Sequence, residues 1–145
     1  MARAYIGTSG WNYRAWKDDF YRDVPQREWL AHCARHFSGL EVNGTFYRLP
    51  ETDTVQRWAE QTPEDFGFAI KGSRYVTHVR RLKDATDSVR LLRGRMEPMG
   101  NRLRAVVWQL PANYKRDQDR LESFTAALEA WPEVRHAIEF RHSSW

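Results

Sequence analysis

Polar residues gather at one end of the strand-like segments of this chain, and that asymmetry constrains its fold more than any other feature. Side chains alternate between faces along a strand, so residues two apart share a side. In residues 40–43, Glu41 and Asn43 share one face while Leu40 and Val42 take the other. In residues 66–71, Ala69 and Lys71 oppose Phe66, Phe68 and Ile70. In residues 103–110, Ala105, Val107 and Gln109 oppose Val106 and Trp108, and in residues 134–141, Ala137, Glu139 and Arg141 oppose Ile138 and Phe140. One face of each segment is apolar throughout, whereas the other starts small or aliphatic and turns polar at its C-terminal end. A doubly wound sheet, covered by helices on both faces, tends to be apolar on both sides. A (β/α)8 barrel turns one face to its helices and the other to its axis, and gathers functional residues at the C-terminal rim. The pattern selects the barrel.

The intervening segments have helical period, as a βα alternation requires. A first strand over residues 5–9 precedes a helix over 26–37, in which Trp29, Leu30, Cys33 and Phe37 fall on one stripe. Pro50 ends the loop after the second strand, and Thr52 or Asp53 is positioned to cap a helix that buries Val55, Trp58 and Ala59. A long basic loop leads to a helix from about residue 84 to Met96, with Gly94 and Pro98-Met99-Gly100 blurring its end. The next helix buries Leu121, Phe124, Leu128 and Trp131, begins at acidic Asp117 and Asp119, and closes at Pro132. The reading is α/β: a partial (β/α)8 TIM-type barrel of about five parallel strands and four helices, in a single domain over residues 1–145. A complete barrel takes about 250 residues, so 145 residues hold about five of eight strands. The first and fifth strands are then open edges, and a protein naturally this short is expected to self-associate.

Composition narrows the setting. No apolar run approaches the roughly 20 residues of a membrane span, and the N-terminus enters a strand-like segment without a signal-peptide core. The expectation is a cytoplasmic protein with no membrane partner. The single cysteine, Cys33, excludes an internal disulfide and a CxxC pair, and its place on an apolar stripe reads as core. A net charge of +4 favours anionic ligands. Aromatic residues make up 14% of the chain, more than a core of this size needs, so some are expected to stack on a ligand.

Several ordered segments carry a family resemblance: Gly7-Thr8-Ser9-Gly10-Trp11 with Tyr13 and Trp16, Phe20-Tyr21, and Glu41-Val42-Asn43-Gly44-Thr45-Phe46-Tyr47-Arg48-Leu49-Pro50. Phe68-Ala69-Ile70-Lys71, Thr77-His78, Gln109-Leu110-Pro111 and Glu139-Phe140-Arg141-His142-Ser143-Ser144-Trp145 follow. Together they resemble the YecE-like family, catalogued as domain of unknown function seventy-two, over essentially the whole chain. The resemblance implies a TIM-barrel-like fold and no established activity. Family members continue past the Glu-x-Arg-x-x-Ser-Trp segment, which implies that this chain is the N-terminal portion of the family domain.

In a barrel, Glu41, Asn43, Lys71, Gln109, Glu139 and Arg141 converge on one rim. Two carboxylates beside a lysine and an arginine suit acid/base chemistry, and the same set suits a structural network that plugs the barrel mouth. Glu41, Glu139 and Lys71 are the catalytic candidates; Asn43, Gln109 and Arg141 are substrate-binding candidates. Residues 71–83 carry Lys71, Arg74, Arg80, Arg81 and Lys83 with Tyr75 and His78 interleaved, and read either as a phosphate-gripping loop or as a solvated basic one. Arg74 and His78 join the binding candidates, with Tyr13, Tyr47 and Trp145 as stacking residues. The segment Gly7-Thr8-Ser9-Gly10 has neither P-loop nor dinucleotide-fingerprint spacing and reads as a tight turn. His32 and His36, at i and i+4 on an outer helix, read as surface histidines, and Glu41, Glu139 and His142 come from separate segments; no metal ligand is assigned and no cofactor is predicted. The leading expectation is a hydrolase- or isomerase-type enzyme acting on a phosphorylated or otherwise anionic sugar or nucleotide compound. The alternative is a nucleic-acid-binding module without turnover, and a third reading is an interaction domain whose polar rim is structural.

Overall fold

The apolar faces read from the sequence are the faces that the helices cover. In the computed structural model, which describes residues 3–145, four parallel strands lie in sequence order: β1 (Gly39–Val42), β2 (Gly67–Lys71), β3 (Leu103–Gln109) and β4 (Arg135–Glu139). Leu40, Val42, Phe68, Ile70, Val106 and Trp108 are all buried. Against them pack α1 (Trp29–His36), the short α2 (Gly44–Tyr47), α3 (Thr52–Glu60), α4 (Thr86–Met96) and α5 (Gln118–Leu128). Phe124, Leu128 and Trp131 are buried as the α5 stripe requires, and Asp117 caps that helix by accepting the Arg120 N–H at 3.1 Å.

Several boundaries differ from expectation: β1 ends at Val42 and β4 at Glu139, which leaves Asn43 and Arg141 just beyond their strands. Residues 5–9 do not form a regular strand. They lie alongside β1, with the Thr8 carbonyl accepting the Glu41 N–H at 2.9 Å and the Gly10 N–H donating to the Glu41 carbonyl at 2.8 Å, but their only bridge is Ser9 with Glu41. With a partner on one side and two glycines, this edge has too little to hold a full ladder. The first helix opens as a 3-10 turn, Gln26–Glu28, before α1. Neither Thr52 nor Asp53 caps α3, because the extended residue is Glu51 and Thr52 is already helical. The third long helix starts at Thr86, since Arg81, Leu82 and Asp84 hold positive φ angles of 49°, 69° and 48° that no right-handed helix admits.

The C-terminal strand ends form a staircase. Val42 pairs with Ile70, but β2 runs one residue further, to Lys71; Lys71 pairs with Val107, but β3 runs two further, to Gln109; Gln109 pairs with Glu139, where β4 ends. The edge climbs three residues over three strand steps. An eight-stranded barrel of shear eight climbs about one residue per strand, so this is the stagger of a barrel sector, with its axial face uncovered.

Tyr5 blocks the N-terminal end of that face. Its ring lies over the two glycines that start β1 and β2, and a Cβ on Gly67 would come within 2.3 Å of it. The Arg104 guanidinium, from the residue bulged between the Leu103 and Ala105 pairings, stands 5.3 Å over the ring, and that of Arg3 stands 5.2 Å away. Gly7 holds this edge in place: a Cβ there would lie 1.6 Å from the Gly39 carbonyl oxygen, a backbone atom that cannot yield. Gly7→Ala is therefore expected to detach the segment, with amide exchange at Gly10 and Glu41 rising at least tenfold while β3 stays protected. Unchanged protection at both amides would contradict this docking.

Candidate functional site

Alternation and stagger together bring the polar groups to the open rim. On the axial face Glu41 lies level with Ala69 and Ala105, Lys71 with Val107 and Ala137, and Gln109 with Glu139. Ala69, Ala105 and Ala137 keep the floor low between three polar clusters, with Arg135 level with Ala105 at the β4 edge.

The first cluster is a directional chain. Asn43 Nδ2 donates to Ser9 Oγ at 2.6 Å, and Ser9 Oγ donates to Glu41 Oε1 at 3.0 Å, so the chain ends on the acceptor-only carboxylate. The Tyr13 hydroxyl donates to the Ser9 carbonyl. The second cluster sits at the other edge, where Gln109 Nε2 donates to Glu139 Oε1 at 3.2 Å and Arg141 Nε lies 3.6 Å from the same oxygen. Both ends of that ion pair are about half exposed, so it orients more than it stabilises.

Lys71 lies between them. Its Nζ stands 5.7 Å over the Phe46 ring, and His78 and Tyr47 meet the same ring edge-on at 5.0 and 4.9 Å. Buried Thr45 ties α2 to the end of β2 by donating to the Lys71 carbonyl at 2.6 Å. Burial, and then the positive field of Arg74, Arg81 and Arg141, holds the His78 imidazole below its ordinary pKa of 6.5. One ring thus registers three guanidiniums, and Lys71 and Arg74 have no ion-pair partner among the described residues.

Residues 71–83, expected as an open loop, are more constrained than that. Tyr75–Val79 form a π-helical turn, and the left-handed residues follow it. The Arg81 carbonyl accepts from the Tyr114 hydroxyl at 3.1 Å and from Arg120 Nη1 at 3.2 Å, and its guanidinium donates to Asn113 Oδ1 at 3.2 Å. Leu82 is buried, and its N–H donates to the Val76 carbonyl at 2.9 Å. Backbone in such sparsely populated conformations persists only where the surroundings over-determine it, and such places cluster at functional sites.

The remaining aromatic candidates separate. Tyr47 is 73% exposed and meets the Phe46 ring edge-on, whereas the Trp145 indole donates to the Tyr114 carbonyl at 2.9 Å and stacks on Phe140 at 4.5 Å. A concavity of about 730 Å³ lies at the opposite end of the sheet, between α4 and the turn into β4. Its Arg93 already binds Glu133 and the Ala130 carbonyl. Size does not mark the chemistry here, because the rim faces an axis that this chain encloses on one side only.

The match to known proteins follows this geometry. The model of a family described as "Protein of unknown function DUF72" covers residues 5–145. The chain belongs to the DUF72 family. It is 33% identical over 139 residues to UPF0759 protein YecE of Escherichia coli (strain K12), covering 95% of this chain and 48% of that protein. It is 25% identical over 149 residues to UPF0759 protein YunF of Bacillus subtilis (strain 168), covering 97% and 51%. Among solved structures, a DUF72 family protein from Thermotoga maritima MSB8 superposes with a TM-score of 0.81 at 30% identity, over 97% of this chain and 56% of that one. One from Enterococcus faecalis V583 gives 0.79 at 17% identity, a likeness of fold, over 97% and 52%. The chain spans about half the length of the curated relatives it matches.

Sequence reasoning missed three residues of this DUF72 rim and its floor. Ser9, read as part of a turn, bridges Glu41 and Asn43; its shared face with Tyr5 and Gly7 was the available signal. Thr45 fixes the Lys71 backbone, and Arg104 caps the Tyr5 floor; both depend on contacts far apart in sequence.

His78 gives the site a pH signature. Because its folded pKa lies below the unfolded value, the unfolded chain binds more protons in the window between the two. Its contribution is complete above pH 6.5 and is lost as pH falls through 6.5 towards the folded value. Between pH 7 and 5 the wild type should therefore lose more stability than His78→Asn in paired urea titrations; parallel losses would contradict the placement.

Proposed function

We propose that the C-terminal rim is a hydrolase- or isomerase-type acid/base site for a phosphorylated or otherwise anionic sugar or nucleotide compound. The observation that supports this reading is that Lys71 and His78 share the Phe46 ring, in the field of Arg74, Arg81 and Arg141, with two separately held carboxylates on the same rim. Lys71, Arg74 and Arg141 neutralise the anion and charge that develops on it. Glu41 and Glu139 move protons, the first oriented by Ser9 and the second by Gln109 and Arg141. Asn43 and Gln109 orient the substrate by hydrogen bonds.

Inorganic phosphate titrated by calorimetry into the wild type and into Lys71→Ala/Arg141→Ala tests the anion seat. Removing charge-assisted hydrogen bonds worth about 1.5–3 kcal/mol each should weaken binding at least tenfold in the double variant. Equal affinity in the two proteins would sink the assignment. The second reading, a nucleic-acid module without turnover, draws on exposed Tyr13, Tyr47 and Tyr75 interleaved with the same cations. It requires steep salt dependence and a loss of binding in Arg80→Ala/Arg81→Ala rather than in the glutamate variants. Among the described residues no helix is long and apolar enough to cross a membrane, and the cytoplasm is the proposed setting.

A further inference from the structure

We infer that the anion this rim receives is the phosphate of a compound with a flat aromatic ring, as in a nucleoside monophosphate, and that Tyr47 is the platform on which the ring stacks. The inference rests on the anion seat proposed above and narrows its ligand.

The exposed large apolar side chains are not scattered. Of seven among the described residues, five follow the C-terminal end of the sheet: Tyr13 after the edge segment, Tyr47 after β1, Tyr75 and Val79 after β2, and Phe140 after β4. Isolated exposed apolar residues are ordinary, but a group on one functional face marks a contact surface. Tyr47 is the most exposed of them.

Phe46 connects this ring to the cations. Tyr47 meets one edge of Phe46 at 4.9 Å, His78 meets it at 5.0 Å, and Lys71 Nζ stands 5.7 Å from its centroid. Phe46 itself is partly buried, and its neighbour Thr45 is anchored to the Lys71 carbonyl, so the backbone that carries Tyr47 is tied to the end of β2. A phosphate ion alone engages only the cations and leaves Tyr47 in water. A sugar phosphate adds hydroxyls, but no π-face to cover the ring. A nucleoside monophosphate fills both halves, its phosphate among Lys71, Arg74 and Arg141 and its base on Tyr47.

Calorimetric titration of the protein with inorganic phosphate, ribose 5-phosphate and adenosine 5′-monophosphate tests this. The adenosine compound should bind roughly tenfold or more tightly than ribose 5-phosphate, the increment that base stacking supplies. Tyr47→Ala, a change at an exposed position, should erase that advantage while leaving phosphate affinity unchanged, and Tyr47→Trp should retain it. Adenosine 5′-monophosphate binding no better than ribose 5-phosphate, or an advantage that survives Tyr47→Ala, would overturn the stacking inference and leave the anion seat standing. Absence of binding by all three would overturn both.

Discussion

Trp108→Ala is expected to destabilise the protein by about 3–5 kcal/mol, the range for truncating a large buried aromatic residue. Trp108 is fully buried in the middle of β3, with the Phe124 ring edge-on at 5.3 Å and the His136 ring at 6.2 Å. Its indole donates to His136 Nδ1 at 3.1 Å, which fixes a neutral imidazole whose Nε2 donates to the Trp131 carbonyl at 2.9 Å. Gly72, the residue after Lys71, lies against the same ring so closely that a Cβ there would sit 2.2 Å from it. Truncation therefore opens a cavity, unpairs an imidazole and removes the wall behind the end of β2. Typical domains have only about 5–15 kcal/mol in hand, so the urea midpoint should fall by a large fraction or the chain should fail to fold. A loss below about 1 kcal/mol would mean that β3 is not packed as described.

Under the proposed acid/base function, Glu41→Gln and Glu139→Gln are expected to reduce turnover of a phosphorylated or otherwise anionic sugar or nucleotide substrate by about a hundredfold or more each, the contribution of a positioned general acid or base. Both changes are nearly isosteric. A glutamine at position 41 still offers a carbonyl oxygen to Ser9 Oγ, and one at position 139 still accepts from Gln109 Nε2, so neither cluster is left with an empty partner. The exposed contact from Glu139 to Arg141 contributes little to stability. Melting temperatures should therefore stay close to wild type while turnover collapses. A rim that were only a structural plug would show no such split. Full activity in both variants would remove the two carboxylates from the mechanism.

The sequence exposed what depends on local alternation. The two-residue period in β1 to β4 sorted Leu40, Phe68, Val106 and Ile138 from Glu41, Lys71, Gln109 and Glu139, and the helical stripes sorted the faces that cover them. The edge segment was legible only in part, because its hydrogen bonds reach residues 38–41 and its own pattern is interrupted by Gly7 and Gly10. The left-handed run at Arg81, Leu82 and Asp84 was hidden because Arg81 and Leu82 are not among the glycine, asparagine and aspartate residues that announce such geometry. What holds it, Tyr114 and Arg120 on the segment after β3, lies more than 30 residues away. The cap of α3 moved by one position, which lies within the ordinary uncertainty of a helix end. Ser9 was missed for a different reason: a hydroxyl between two site residues becomes visible only when two segments are placed side by side.

The proposed anion seat is the C-terminal rim rather than the groove beside α4. Chemical-shift mapping of the protein during titration with inorganic phosphate tests this most directly. Saturable shifts centred on Lys71, Arg74, His78 and Arg141 are expected. Shifts centred on Arg90 and Arg104 in the groove, or no saturable shift at the rim, would contradict it.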